Sequence, residues 1–409
     1  MKGLATCLST IAASAGGALA GGLDWSGLPI DALFEPGGAG GSYLELSFAR
    51  TNTDISGSGA GRGFDAPLAP FGIAEGTGYS DVGNATSYAG AALKARFTPK
   101  LSGVLIYDQP YGADIEYGGA PDATELGGTR VHARTDSLTG LLRYQFDERW
   151  SAHGGLRYQA VEGRINLSGL SYGLTSGQVA QVQAMFGPVS IPTVNGYRVQ
   201  LDRDPAWGWV LGGAFEIPEI ALRVALTYSS EITHRMKTTE TGLGAYGLPG
   251  RLRSTTEVKT PQSVNLDFQT GIAPDTLLFG SIRWAEWSEF RIDPKHFRAT
   301  TGAALVDLSD TLTYRLGIGR RFSDEWAGSL TLGYETADDK RDSPLAPNDG
   351  YWGLSLAAAR DFGDLTISGS ASHIWLGDSE PVTGPPFGQR AHFSDNTAWS
   401  FGLRIGYEF

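Results

Sequence analysis

The chain has 409 residues, 41% of them hydrophobic and 19% charged, with a net charge of −12 that becomes −13 if Lys2 leaves with a cleaved leader. This acidity argues against nucleic acid as a partner, because phosphate binding needs clustered Lys and Arg. No stretch reaches the roughly 18 consecutive apolar residues of a spanning helix, whereas a β-barrel needs apolarity only at alternate positions and stays open.

The amino terminus combines Lys2, an Ala-rich apolar stretch over residues 4–19 and the small-residue site Ala18-Leu19-Ala20. It reads as a secretory signal peptide over residues 1–20, cleaved after Ala20. The one cysteine, Cys7, falls inside it, so the mature chain is expected to carry neither a disulfide nor a thiol ligand. Residues 21–42 are too irregular for a strand, yet they carry Leu23, Trp25, Leu28, Ile30, Leu33 and Phe34.

Alternating apolar and polar segments then follow at about 43–51, 86–98, 101–117, 134–147, 150–165, 207–217, 220–233, 260–272, 276–291, 309–322, 326–337, 350–361, 364–376 and 397–409. The last is the clearest: Trp399, Phe401, Leu403, Ile405, Tyr407 and the terminal Phe409 share one parity, Ser400, Gly402, Arg404, Gly406 and Glu408 the other. Successive strand side chains point to opposite faces, so one parity meets lipid and the other the lumen. Connections alternate strictly between two or three residues and long loops, as periplasmic turns and extracellular loops do in outer-membrane barrels. A sandwich has no reason for that regularity. The expected fold is all-β, a fourteen-stranded antiparallel transmembrane barrel over residues 43–409 with both termini periplasmic.

The expected lumen collects Lys94, Arg96, Arg143, Arg157, Arg223, Arg283, Arg315 and Arg404 with Glu45, Asp267, Glu335 and Glu408. A barrel of this size is too wide for side chains alone to fill. Residues 21–42, through Leu28, Ile30 and Phe34, are the expected hatch, or plug. A fatty acid would bring a carboxylate, for which a guanidinium is the natural partner; Arg157, Arg223 and Arg315 are the inward candidates, with salt bridges across the lumen as the competing role. In the third long loop Val179, Val182, Met185 and Phe186 recur at helical spacing, a stripe suited to a greasy ligand or to packing between loops.

At this point the chain resembles the FadL family of outer-membrane long-chain fatty acid and hydrocarbon transporters. The stretches that carry the resemblance are GLDWSGLPIDALFE over residues 22–35, YLELSF over 43–48, IYDQPYGAD over 106–114, TPQSVNLDF over 260–268 and WAEWS over 284–288. The resemblance implies a fourteen-stranded barrel, an amino-terminal hatch, an extracellular hydrophobic groove and a kinked third strand that opens the wall sideways. Pro110 and Gly112 fall at that kink, and Leu243, Tyr246 and Leu248 in the fourth loop resemble the far side of the groove. One departure stands out: Glu35-Pro36-Gly37-Gly38-Ala39 replaces the Asn-Pro-Ala with which many family hatches end.

Catalytic patterns are weak. The match to G-x-S-x-G around Ser171 lacks the strand-then-helix setting of a nucleophile elbow. Gly59, Gly61 and Gly63 precede no helix that would make a phosphate cradle. Six scattered histidines have no metal-ligand spacing. The expectation is therefore a non-enzymatic, cofactor-free and metal-free monomer in the bacterial outer membrane, bounded by lipid and lipopolysaccharide, that passes fatty acids or other hydrophobic molecules. A general or ion-selective porin, a membrane lipase using Ser171, and a receptor or structural barrel are the rivals.

Overall fold

The computed structural model describes Asp24 and residues 28–66, 68–337, 343–384 and 388–409. The expected leader, and Leu23 and Trp25 of the expected hatch, lie outside the described residues. Fourteen antiparallel strands close on themselves: β1 Tyr43–Asp54, β2 Thr86–Arg96, β3 in two segments Leu101–Asp108 and Gly112–Glu116, β4 Arg130–Gln145, β5 Trp150–Leu167 and β6 Tyr197–Ile217. Then come β7 in segments Leu222–Ser229 and Ile232–Thr241, β8 in segments Leu252–Thr260 and Ser263–Ala273, and β9 Thr276–Ala285. The circuit ends with β10 Thr311–Arg321, β11 Trp326–Glu335, β12 Tyr351–Asp361, β13 Leu365–Leu376 and β14 Thr397–Glu408. Closure is made by β1 and β14, in a register running from Tyr43 opposite Glu408 to Asp54 opposite Thr397. Closing the sheet leaves no unpaired edge in hydrocarbon, where an unmet backbone group would be costly. Among the described residues three short α-helices accompany the barrel: α1 Asp31–Phe34, α2 Ser176–Phe186 and α3 Lys295–Thr301.

The lipid face carries Leu44, Leu46 and Phe48 of β1, Leu316 and Ile318 of β10, Leu356 of β12 and Phe401 and Leu403 of β14, all exposed. Aromatic rings band the extracellular rim, where Trp352 lies 4.4 Å from Tyr334 and Trp209 5.0 Å from Tyr228, ring centre to ring centre. Tyr144, Phe146, Trp150 and Phe409 do the same near the periplasmic turns. Rings suit this boundary because their bodies are apolar and their edges polar.

The expected boundaries need correction in the middle of the chain. Strand β6 begins at Tyr197 rather than 207, β7 runs to Thr241, β8 starts at Leu252, and β9 stops at Ala285. The reason is a change of side. In the lower part of β6, Trp207, Trp209 and Leu211 face lipid, whereas higher up Tyr197, Val199 and Leu201, of the same odd parity, are buried inside. Likewise Leu226 of β7 faces out and Ile232 and Met236, of the same even parity, face in. A one-residue slip in pleat turns every side chain over. The slips fall at the interruption between the segments of β3, at a bulge opposite Val161 and Gly163 in β6, and at the breaks in β7 and β8. Below them the barrel is apolar outside and polar inside; above them, in the part standing clear of the membrane, it follows the soluble rule.

That upper part has an apolar core. Tyr197, Val199, Leu201, Met236, Val258 and Leu243 pack with Ile292, Phe297 and Leu305, which come from the loop carrying α3. Loop 1 (between β1 and β2), loop 2 (between β3 and β4) and loop 7 (between β13 and β14) make a second cluster around Tyr79, Tyr117, Leu126 and Phe393. Its polar pin is Glu125, with no solvent exposure, which accepts hydrogen bonds from the Gly61 amide at 2.7 Å and the Tyr79 hydroxyl at 2.9 Å. Burial pushes the Tyr79 phenol up, keeping it a neutral donor.

Candidate functional site

The lumen is occupied by the hatch, which the wall holds at Asp24 and again over residues 28–35. Towards the extracellular side Asp24 bridges to the backbone of Tyr111 and meets the Arg283 guanidinium at 2.9 Å. Arg283 is itself oriented by Asn265 at 2.7 Å and Ser263 at 3.0 Å. Towards the periplasm Asp31 of α1 pairs with Arg223 at 2.6 Å. Phe34 follows, its ring centre 4.5 Å from the Arg143 guanidinium and 4.6 Å from that of Arg223, with His153 edge-on at 6.1 Å. Arg143 is paired with Glu216, and Lys94 donates to the Glu35 carbonyl. Leu28, Ile30, Ala32 and Leu33 pack against Ala92, Val104, Ile106 and Leu141 of the wall. An apolar segment thus crosses a charged lumen because its own carboxylates meet the wall arginines.

The hatch leaves the lumen through a tight turn. Gly37 has φ +70°, and a Cβ there would fall 2.6 Å from the Gly41 carbonyl carbon. The Glu35-Pro36-Gly37-Gly38-Ala39 sequence is therefore built for a turn that folds back on the end of β14, where Ser42 and Phe409 exchange both backbone hydrogen bonds at 3.0 and 3.2 Å. Arg404, farther up β14 in the same closure, faces Glu45 at 3.4 Å. Arg96 differs from its expected lumen position: it is exposed at the periplasmic rim, against Gly41.

Strand β3 is interrupted at Gln109, Pro110 and Tyr111, immediately before Gly112. Pairing with β2 ends at Tyr107 opposite Ala91. Proline has no N–H for the ladder, and a side chain takes over: Gln109 Oε1 accepts from the Ala89 amide at 3.0 Å. On the lumen side of this interruption sits Asp108, fully buried and 3.2 Å from Arg157.

The three candidate carboxylate partners separate on this geometry. Arg157 is committed to Asp108 and Arg223 to the hatch. Arg315, facing the lumen from β10, makes no ion pair among the described residues and stands within electrostatic reach of Asp267 and Glu335.

The loop residues separate too. Val182 is buried and Val179 partly buried in a cluster with Leu170, Leu174 and the loop 1 residues Phe64, Leu68, Phe71 and Ile73. Leu243 is fully buried, with Leu248 beside it, in the cluster around Tyr197 and Phe297. Met185, Phe186 and Tyr246 are exposed. The seven residues thus do not form one cluster: α2 leans on loop 1 rather than on loop 4. Its start is set by Thr175, whose hydroxyl accepts from the Gln178 amide in a reciprocal capping box. Ser171 sits in a single helical turn, Leu170–Tyr172, where its amide donates to the Glu125 carbonyl at 2.8 Å, and among the described residues no side chain of a His or an acid hydrogen-bonds its hydroxyl. No group of metal-ligating residues occurs among the described residues.

Sequence reasoning missed the clamp of Arg143 and Arg223 on Phe34 and the role of Glu125. Their partners lie 46 to 189 positions away, at distances periodicity does not reach.

A closed barrel of this strand number, filled by an amino-terminal hatch and interrupted in its third strand, defines an outer-membrane transport channel. The chain belongs to the family described as outer membrane protein transport protein (OMPP1/FadL/TodX), whose model matches residues 86–352. A crystal structure of a Pseudomonas aeruginosa FadL homologue is similar over 99% of this chain and 98% of its own, with TM-score 0.74 and 16% identity. The P. putida toluene transporter TodX matches over 96% and 97% with TM-score 0.59 and 12% identity. The Ralstonia pickettii toluene transporter TbuX matches over 96% of each chain with TM-score 0.57 and 11% identity. No curated protein matches the sequence significantly. The protein is thus an outer-membrane barrel with the fold of hydrophobic-compound transporters, and its family and structural neighbours are channels rather than enzymes.

Proposed function

We propose that the protein is a passive channel for long-chain fatty acids or other hydrophobic small molecules, acting as a monomer among lipid and lipopolysaccharide. The observation that carries this reading is the hatch, ion-paired at Asp24 and Asp31 inside the lumen. A segment so held across the lumen disfavours the porin alternative, while the apolar core above it offers greasy surface. Capture begins at the exposed loop residues Met185, Phe186 and Tyr246, and release is sideways, through the wall beside Pro110 and Gly112. Removal of apolar surface from water supplies about 0.8 kcal/mol per buried CH₂. A carboxylate, where the cargo has one, meets Arg315, the lumen arginine candidate outside the ion pairs.

The test is uptake by a strain lacking the chromosomal copy, with and without the gene restored, using labelled oleate and hexadecane. Restoration is expected to raise uptake of both, and Arg315→Ala to reduce oleate uptake alone. A large, stable ionic current from the intact protein in planar bilayers, with no gain in uptake, would replace this reading with a porin.

A further inference from the structure

The pleat slips do not occur at one level, and the mismatch leaves a second weak line in the wall. Strands β6 and β7 are paired from Leu222 opposite Ile217 up to Ser229 opposite Val210, and again from Thr238 opposite Leu201 to Thr241 opposite Arg198. Both stretches share one register. Between them, Asp202 to Trp209 and Ser230 to Lys237 form no ladder pairs. The cause is phase. Strand β7 turns its faces over at Ser230 and Glu231, level with Trp209 and Gly208, whereas β6 does so only at Asp202 and Arg203, about six residues higher along the wall. Over that interval the inward residues of one strand stand opposite the outward residues of the other, so the shared register has no in-phase pairs to offer. Strand β8 breaks level with β7, at Pro261 and Gln262, and those two stay paired on both sides of the break.

One backbone bond, from the Ser230 amide to the Trp209 carbonyl at 3.0 Å, closes the foot of the gap, and side chains stand in for the rest of the ladder. The Trp209 amide donates to Ser230 Oγ at 3.0 Å, and the Arg235 amide donates to Asp204 Oδ2 at 3.0 Å. His234 Nδ1 lies 3.0 Å from the Asp204 carbonyl oxygen, and Pro205 has no N–H to give. The lower half of the seam is closed by one apolar side chain. Ile232, buried, lies across Gly208, where a Cβ would come within 2.6 Å of Ile232 Cγ1. Outside are Trp207, stacked edge-on with Tyr158 at 5.2 Å, and Trp209, so the seam opens at the outer-leaflet girdle. Inside, Met236, Leu201 and Val258 belong to the apolar core above the lumen.

We propose that the β6–β7 seam is a second lateral portal, gated by Ile232 over Gly208, through which neutral apolar solutes pass between the extracellular apolar core and the outer leaflet. It rests on the transport reading above and is distinct from the β3 interruption, which lies across β4 and β5. The β3 interruption is flanked by Asp108, Gln109 and Asp136, whereas the lower seam presents Ile232 between tryptophans, which suits an uncharged hydrocarbon or aromatic ring.

Because Cys7 is the sole cysteine and lies in the expected leader, a pair introduced as Gly208→Cys with Ile232→Cys can lock the seam reversibly. Uptake of labelled naphthalene is measured in cells carrying wild type, each single variant and the double variant, oxidised and then reduced. Expected: the oxidised double variant loses the greater part of wild-type uptake, keeping the share that leaves beside Pro110, reduction restores it, and the others ignore oxidation. Wild-type-level uptake by the oxidised double variant would overturn the portal and leave the transport reading intact. No uptake by wild type above cells without the protein would overturn the transport reading itself. Amide exchange of the unaltered protein gives a variant-free check: residues 231–237 of β7 that face β6 should exchange faster than the paired stretch 222–229. Equal protection along the whole of β7 would also overturn the portal.

Discussion

Replacing Phe34 by Ala should unseat the hatch without unfolding the barrel. The ring is clamped by two guanidinium groups at 4.5 and 4.6 Å and capped edge-on by His153. A desolvated cation–π contact is worth up to about 2 kcal/mol and an exposed one about 0.5–1, so two partly shielded contacts contribute roughly 1–3 kcal/mol. Loss of ring packing at a half-buried site adds about 1 kcal/mol, below the range of full burial. The sum, about 2–4 kcal/mol, corresponds to a 30- to 700-fold shift towards an undocked hatch, since about 1.4 kcal/mol is tenfold. The barrel should keep its stability, because Arg143 retains Glu216 and Arg223 retains Asp31. Single-channel recording measures the effect directly: openings rare in wild type should become frequent in Phe34→Ala, approaching those of a protein lacking residues 21–42. If the deletion opens the channel while Phe34→Ala matches wild type, the clamp is not an anchor. If the deletion itself stays closed, the hatch is not what fills the lumen.

Other outcomes follow from the same geometry. Leu356→Arg, at an exposed lipid-facing position in the middle of β12, should cost about 2–4 kcal/mol in urea unfolding from lipid vesicles, the range for a cation near the bilayer midplane. Glu125→Ala leaves the Gly61 amide and the Tyr79 hydroxyl without their buried acceptor, so the extracellular cap should lose about 2–5 kcal/mol, read as faster proteolysis of loop 1 with the barrel still intact. In the periplasmic turn, the amides of Arg149 and Trp150, each 2.8 Å from Asp147 Oδ1, hold that carboxyl below its ordinary value. The ionised form is favoured by the fold, so the turn's stabilisation is complete above about pH 4 and is lost as pH falls through the lowered pKa. The protection factor of the Trp150 amide, its intrinsic exchange rate over the observed one, should fall on acidification in wild type and be already low, with little pH response, in Asp147→Ala.

The terminal strand shows how much was legible in the chain itself. Trp399, Phe401, Leu403, Tyr407 and Phe409 are exposed to lipid as their parity demands, while Ser400 and Arg404 are buried inside. Period-two alternation is a local property, and hydrocarbon enforces it strand by strand, so the number of strands, their order and the short periplasmic turns could be read before any contact was known. The hatch was legible as an apolar run with nowhere else to go, and Leu28, Ile30 and Phe34 do pack in the lumen.

What the alternation does not carry is which face is inside once the membrane ends. Tyr197, Val199 and Leu201 share the parity of Trp207, Trp209 and Leu211, and only the bulge opposite Val161 and Gly163 turns the first three inward. That bulge is a property of two strands packed together, as are the phase mismatch of β6 with β7 and the pairing of Val182 with loop 1 rather than loop 4. Sequence by itself determined a barrel with a hatch. Tertiary structure alone decided where its apolar surface changes sides, because a pleat has a local period but its absolute phase is fixed only by neighbours.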